Sequence, residues 1–323
     1  MRKIAFGLYL TLTPLLVLHA GFAHAAYPDQ PIRIIVPFAP GGIADGTARL
    51  IADGLSKSLG KPVIVENRAG GAATIGTQAV ARAPADGYTL LLGSTNISTN
   101  SALYKTLPYN ADKDLAPVAL AVTIPGVIIT HPSLPVTSFA ELVNYAKQNP
   151  EKVTYASVGL GSFSHLAIEG LKQKTSTKML HVPYKGYAPA ISSVLSGETD
   201  LLASDLQGAL QHIETGKLKA LAVTGVERIS VLPDVPTVKE LGVKDYQAIG
   251  WLGIMAPTGT PANIVSTLNS EINKILQNPE VVKRYTAQGV DVFAGDPDAF
   301  KKFLNENKAA WEIVIRTAKI TLD

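Results

Sequence analysis

The residues of this 323-residue chain that could do chemistry gather at glycine-bearing turns. Gly41 and Gly42 follow an apolar run, Ile32, Ile34, Ile35 and Val36, and precede Ala44, Ala48, Ile51, Leu55 and Leu59, which recur at helical spacing. Residues 31–59 therefore read as strand, loop and helix, the strand bounded by Pro31 and Pro37. At the helix N-terminus the first N–H groups lack partners and the dipole is positive, and the glycines let a ligand approach the backbone. An anion suits that chemistry; the competing reading is a tight turn and nothing more. A second turn of this kind, GLGSFS at 159–164, follows a strand at 153–157 and opens a helix at Phe163.

Neither turn contains Lys or Arg, so a carboxylate held there would rest on backbone N–H groups, hydroxyls such as Ser162 and Ser164, and bridging water. Asp45, in the first helical turn, either complements the dipole or accepts a hydrogen bond from a ligand hydroxyl or amine. Asp205, after the strand at 200–203, carries the same two readings. Phe38 either caps the apolar part of a ligand or packs under the loop, and its place within the loop favours contact. His165, beside Leu166 and Ile168, reads as a structural histidine.

Other chemistries are poorly supported. GGIADGT at 41–47 has phosphate-loop spacing without the lysine, and 159–164 lacks the third glycine of a dinucleotide fingerprint. No Gly-x-Ser-x-Gly elbow occurs, and no serine has a recognisable base beside it. There is no cysteine, and the histidines beyond residue 26, His131, His165, His181 and His212, have no metal-ligand spacing. No catalytic residue, metal or cofactor is expected.

The elements that must position these turns follow from the rest of the chain. Residues 1–26 have Arg2-Lys3, an apolar stretch and Ala23-His24-Ala25, the pattern of a cleavable export signal. Without them the formal charge falls from +3 to +1, which gives no reason to expect nucleic acid. A chain that is 46% hydrophobic and free of disulfides can build a sizeable core outside the cytoplasm. Strands at 62–65 and 88–92, a small-residue helix at 72–82 and a loop at 93–96 continue the first unit. Strands at 180–182, 200–203 and 219–223 alternate with helices at 188–195 and 206–213 in a second one. These repeats predict an α/β fold with a parallel-type sheet and flanking helices in each of two lobes. Ligands of such sheets lie outside the strands' carboxyl ends. The Pro-rich passage 108–135 reads as the crossing into the second lobe and 246–255 as the return. The expected division is a signal peptide at 1–26, lobe one at 27–123 and 247–323, and lobe two at 124–246.

A series of short blocks then resembles one family. PIRIIVPF at 31–38, the Gly41-Gly42 turn with Asp45, VENR at 65–68, DGYTL at 86–90 and Gly161-Ser162 with His165-Leu166 are joined by HVPYKG at 181–186. GKLKALAV at 216–223, LPDVPT at 232–237 and the Ala256-Pro257 to Pro261 segment follow in order. Together they are similar to the tripartite tricarboxylate transporter substrate-binding proteins, also called Bug. The resemblance implies a periplasmic Venus flytrap that binds a small organic carboxylate and hands it to integral-membrane transporter subunits. It implies a carboxylate pinched by backbone groups and water between residues 38–45, including Phe38, Ala39, Gly41, Gly42, Ile43 and Asp45, and residues 157–164, including Ser157, Gly161, Ser162 and Ser164, with His165 adjoining. Ser94, Thr95 and Asp205 are the candidates for the rest of the ligand. One departure is RAGGAA at 68–73, where the family more often has Pro-Gly-Ala-Gly-Gly after the arginine. The expected protein is a monomeric receptor and not an enzyme, the alternative being a carboxylate sensor docking on a membrane kinase.

Overall fold

The computed structural model describes residues 27–322, and the segment read as an export signal lies outside them. Strand β1 (Ile32–Val36) has four side chains with 0–1% exposure, as an apolar run covered on both faces requires. It leads into helix α1 (Ile43–Leu59), which buries Ala44, Ala48, Ile51, Ala52 and Leu55 and stops at a left-handed Gly60. Strand β2 (Val63–Asn67), helix α2 (Thr74–Ala81), strand β3 (Thr89–Ser94), helices α3 (Thr95–Leu103) and α4 (Ala111–Asp114) and strand β4 (Leu115–Pro125) follow.

Gly126 alone separates β4 from β5 (Val127–Thr130), the first strand of a second sheet. That sheet is completed by α5 (Phe139–Gln148), β6 (Thr154–Ser157), α6 (Phe163–Thr175), β7 (Leu180–Pro183), α7 (Tyr187–Leu195), β8 (Leu201–Ser204), α8 (Leu206–Glu214) and β9 (Lys219–Val223). The chain returns through β10 (Ile249–Pro257), α9 (Ala262–Leu276), α10 (Pro279–Thr286), β11 (Asp291–Val292) and α11 (Pro297–Ala318).

The first sheet has the order β11-β4-β10-β3-β1-β2 and the second β7-β6-β8-β5-β9. Each keeps the expected parallel core, β2-β1-β3 and β7-β6-β8. Each also carries antiparallel strands, β10 between β3 and β4 in one and β5 between β8 and β9 in the other. The cause is the crossing: β4 runs almost straight on into β5, and the returning chain lies back along β4.

Three local expectations change. The segment at 246–255, read as a crossing, is largely the inner strand β10, its apolar signal diluted by Gly250 and Gly253. Gly253 is needed there, because a Cβ would lie 2.6 Å from the Phe300 ring and 2.9 Å from the Ala119 carbonyl oxygen. The loop expected at 93–96 does not exist, since β3 passes directly into α3 at Thr95. Its TNISTNS start is a poor helix former, and burial of Ile97, Ser98, Thr99, Asn100 and Leu103 overrides propensity. The helix expected from residue 72 begins at Thr74. Ala72 and Ala73 before it take left-handed φ of 48° and 72°, with Asn100 Nδ2 donating to the Ala72 carbonyl at 3.0 Å.

The crossings are laced at Thr224, which is fully buried. Its Oγ1 accepts the Gly126 N–H at 2.8 Å and donates to the Ala248 carbonyl at 2.6 Å. The C-terminal helix, expected with lobe one, packs on both cores. Phe300 meets Trp251 edge-on at 5.4 Å, while Trp311 and Ile315 belong to the second core.

Candidate functional site

A cavity of about 400 Å³ opens between the two sheets and receives residues from five helix starts. These are Gly42, Ile43 and Ala44 of α1, Ser94, Thr95 and Asn96 of α3, Ser162 and Phe163 of α6, Tyr187 of α7, and Asp205, Leu206 and Gln207 of α8. The starts of α1, α3 and α7 have no side-chain cap, whereas Ser162 caps α6 and Asp205 caps α8. Uncapped first-turn N–H groups carry the positive end of the helix dipole into the cavity. The remaining wall is largely apolar, with Phe38, Ile124, Val158, Trp251, Leu252 and Val290. Among the described residues no Lys, Arg or His lines it.

Of the residues singled out from sequence, Phe38, Ala39, Gly42, Ile43, Ser94, Thr95, Gly161, Ser162 and Asp205 line this cavity. Gly41, Asp45, Ser157, Ser164 and His165 are not part of its lining. Asp45, 5% exposed, accepts hydrogen bonds from the Gly41 N–H at 3.1 Å, Arg49 Nε at 2.9 Å and Asn67 Nδ2 at 2.9 Å. The Arg49 guanidinium, against the opposing effect of burial, holds its carboxyl down at about 2. In this arrangement Asp45 fixes the 38–42 loop from behind.

The second loop is fixed in the same manner. Ser164 Oγ accepts the Val158 N–H at 3.0 Å, and Ser157 Oγ accepts the Gly159 N–H at 3.1 Å while also bonding His181 Nε2. His165 Nδ1 accepts the Gly161 N–H at 3.0 Å, so the ring's proton sits on Nε2. His165 stacks on His181 with ring centroids 4.1 Å apart, and Tyr155 stacks on His181 in turn. Tyr155 bonds Glu169, which pairs with Lys172.

Burial above all, with the neighbouring His181, lowers the His165 pKa to about 4. The unfolded chain then binds more protons than the fold between pH 6.5 and about 4, so stability rises with pH across that window and falls on acidification. The expected loss from His165 is roughly 3 kcal/mol. Denaturant unfolding at stepped pH checks it: His165→Gln should flatten the slope, and an unchanged slope would assign the acid sensitivity elsewhere.

Asp205 is the one acidic residue of the lining among the described residues. Its Oδ1 accepts the Gly208 N–H at 3.0 Å, and burial, only partly offset by that bond, pushes its carboxyl up. Burial and the Asp205 charge likewise raise the Tyr187 phenol.

Tyr187, Phe163, Trp251, Gln288 and Val290 were not singled out by sequence reasoning. Tyr187 follows Gly186 at another strand-to-helix turn, a signal that the sequence does contain. Trp251 was hidden by the misread strand, and Gln288 and Val290 arrive from a loop with no local signature.

The chain matches the family model described as tripartite tricarboxylate transporter family receptor, TctC, over residues 47–320. The chain belongs to this TctC receptor family. Among its relatives is Protein BugT of Bordetella pertussis, 39% identical over 292 residues, covering 90% of each chain. Among solved structures, Rpa4515 of R. palustris with adipate is 35% identical with a TM-score of 0.79, covering 92% of this chain and all of that one. MatC from Rhodopseudomonas palustris with bound malate is 32% identical with a TM-score of 0.75, covering 90% of this chain and all of that one. TctC proteins are periplasmic solute receptors with a two-lobed fold, not enzymes.

Proposed function

We propose that this TctC chain captures a small organic carboxylate in the cavity between its lobes and delivers it to a membrane transporter after export to the periplasm. The observation that carries the reading is the convergence of uncapped helix starts on an apolar cavity with no basic lining. Such a site holds one carboxylate through N–H groups, hydroxyls and water, and shelters a carbon skeleton. The ligand carboxylate lies between Gly42-Ile43 and Gly161-Ser162, with Ser94, Thr95 and Asp205 facing the remainder. Adipate and malate in the related structures support the ligand class, and the family description supports the transporter. Closure on a ligand that touches both lobes is a population shift about the two crossings at Gly126 and Thr224.

A thermal-shift panel of carboxylates, amino acids, sugars and phosphates tests it. A ligand at a hundred times its Kd stabilises the fold by about 2.7 kcal/mol, which raises the melting point by roughly 5 °C. Stabilisation by one carboxylate subgroup is the expected result. A response to sugars or phosphates alone would overturn the reading.

A further inference from the structure

We propose that the cavity selects a zwitterionic ligand, with its carboxylate at the α1 helix start of one lobe and its ammonium against Asp205 of the other. This rests on the carboxylate-receptor reading above and narrows its ligand class.

The lining is asymmetric in charge. On the side of the first sheet, the uncapped N-terminus of α1 presents partial positive charge to the cavity. On the side of the second sheet, Asp205 lines the same cavity, its Oδ1 capping α8 through the Gly208 N–H. Its second oxygen has no hydrogen-bond partner among the described residues, and no basic side chain pairs with it there. Capping does not require the charge, because Asn and Ser cap as well as Asp and α6 is capped by Ser162. A half-buried carboxylate without a cation is costly unless the occupant supplies one. Tyr187, coupled electrostatically to Asp205, adds an aromatic wall of the kind that favours ammonium groups. A second ligand carboxylate beside Asp205 would meet a like charge in a poorly hydrated space. The dicarboxylates of the related structures therefore suit this lining less well than an amino carboxylate of equal length.

The test is calorimetric titration of the exported chain with two matched sets of probes: butyrate, 4-aminobutyrate and succinate, then hexanoate, 6-aminohexanoate and adipate. The amino member of at least one set should bind at least tenfold more tightly than its dicarboxylate. Asp205→Asn, which keeps the α8 cap, should erase that preference without lowering the melting point of the free protein. Tighter dicarboxylate binding in both sets, or a preference that survives Asp205→Asn, would overturn the inference and leave the carboxylate reading standing. No binding by any probe, together with no carboxylate response in the thermal-shift panel, would overturn both.

Discussion

Gly42→Val should abolish carboxylate binding, weakening it at least a hundredfold, while leaving the fold intact. Gly42 sits at φ −85° and ψ 177°, a backbone that valine adopts readily. A Cβ built on it meets nothing within 4 Å. The new methyls would stand in front of the α1 N-terminus, where the cavity wall is the peptide backbone itself. Unfolding free energy should fall by no more than about 1 kcal/mol, the cost of exchanging glycine for valine at the N-cap of α1. Calorimetry and denaturant unfolding of one preparation separate the two effects, and undiminished affinity would move the carboxylate away from this helix start. Gly41 offers no such clean test, because its φ of +98° makes any side chain strained before a ligand is considered.

Trp311→Ala is expected to cost about 3–5 kcal/mol of stability, as large core truncations do. The indole is 2% exposed and meets Phe163 edge-on at 6.1 Å, and Phe163 in turn lines the cavity and packs on Gly126. The variant should therefore also loosen ligand binding. Trp311→Phe should be far milder, since the buried indole Nε1 has no partner among the described residues and its removal forfeits no hydrogen bond with them. A melting-point series of parent, phenylalanine and alanine forms checks the order, and equal losses in both variants would contradict the packing account.

What the sequence made legible was local. The β1-loop-α1 unit and the 157–165 turn announce themselves because a β-period or continuous apolar run, a glycine and a 3.6-residue period lie next to one another. What stayed hidden depends on distant partners. Helix α3 forms from poor helix formers because its small polar face is buried against Trp251, whose Nε1 donates to Ser98. Strand β10 has glycine at position 253 because Phe300 and the Ala119 carbonyl of β4 press against it. Asp45 could be read either as a dipole partner or as a ligand contact from its position alone. Only Arg49 and Asn67 around it show that its hydrogen-bonding capacity is already engaged.

The place of β10 has a consequence for how the molecule comes into being. The second sheet is assembled from one uninterrupted stretch, β5 to β9, and all its strand pairs form without waiting for the rest of the chain. The first cannot close that way, since β3 and β4 are not neighbours until β10 is inserted between them, pairing Leu252 with Ser94 and Val122. Such distant pairing is slow, because loop closure precedes any gain from contact. The sheet that is begun first is thus closed last, its early strands waiting with unpaired edges until the chain's final third arrives to seal them.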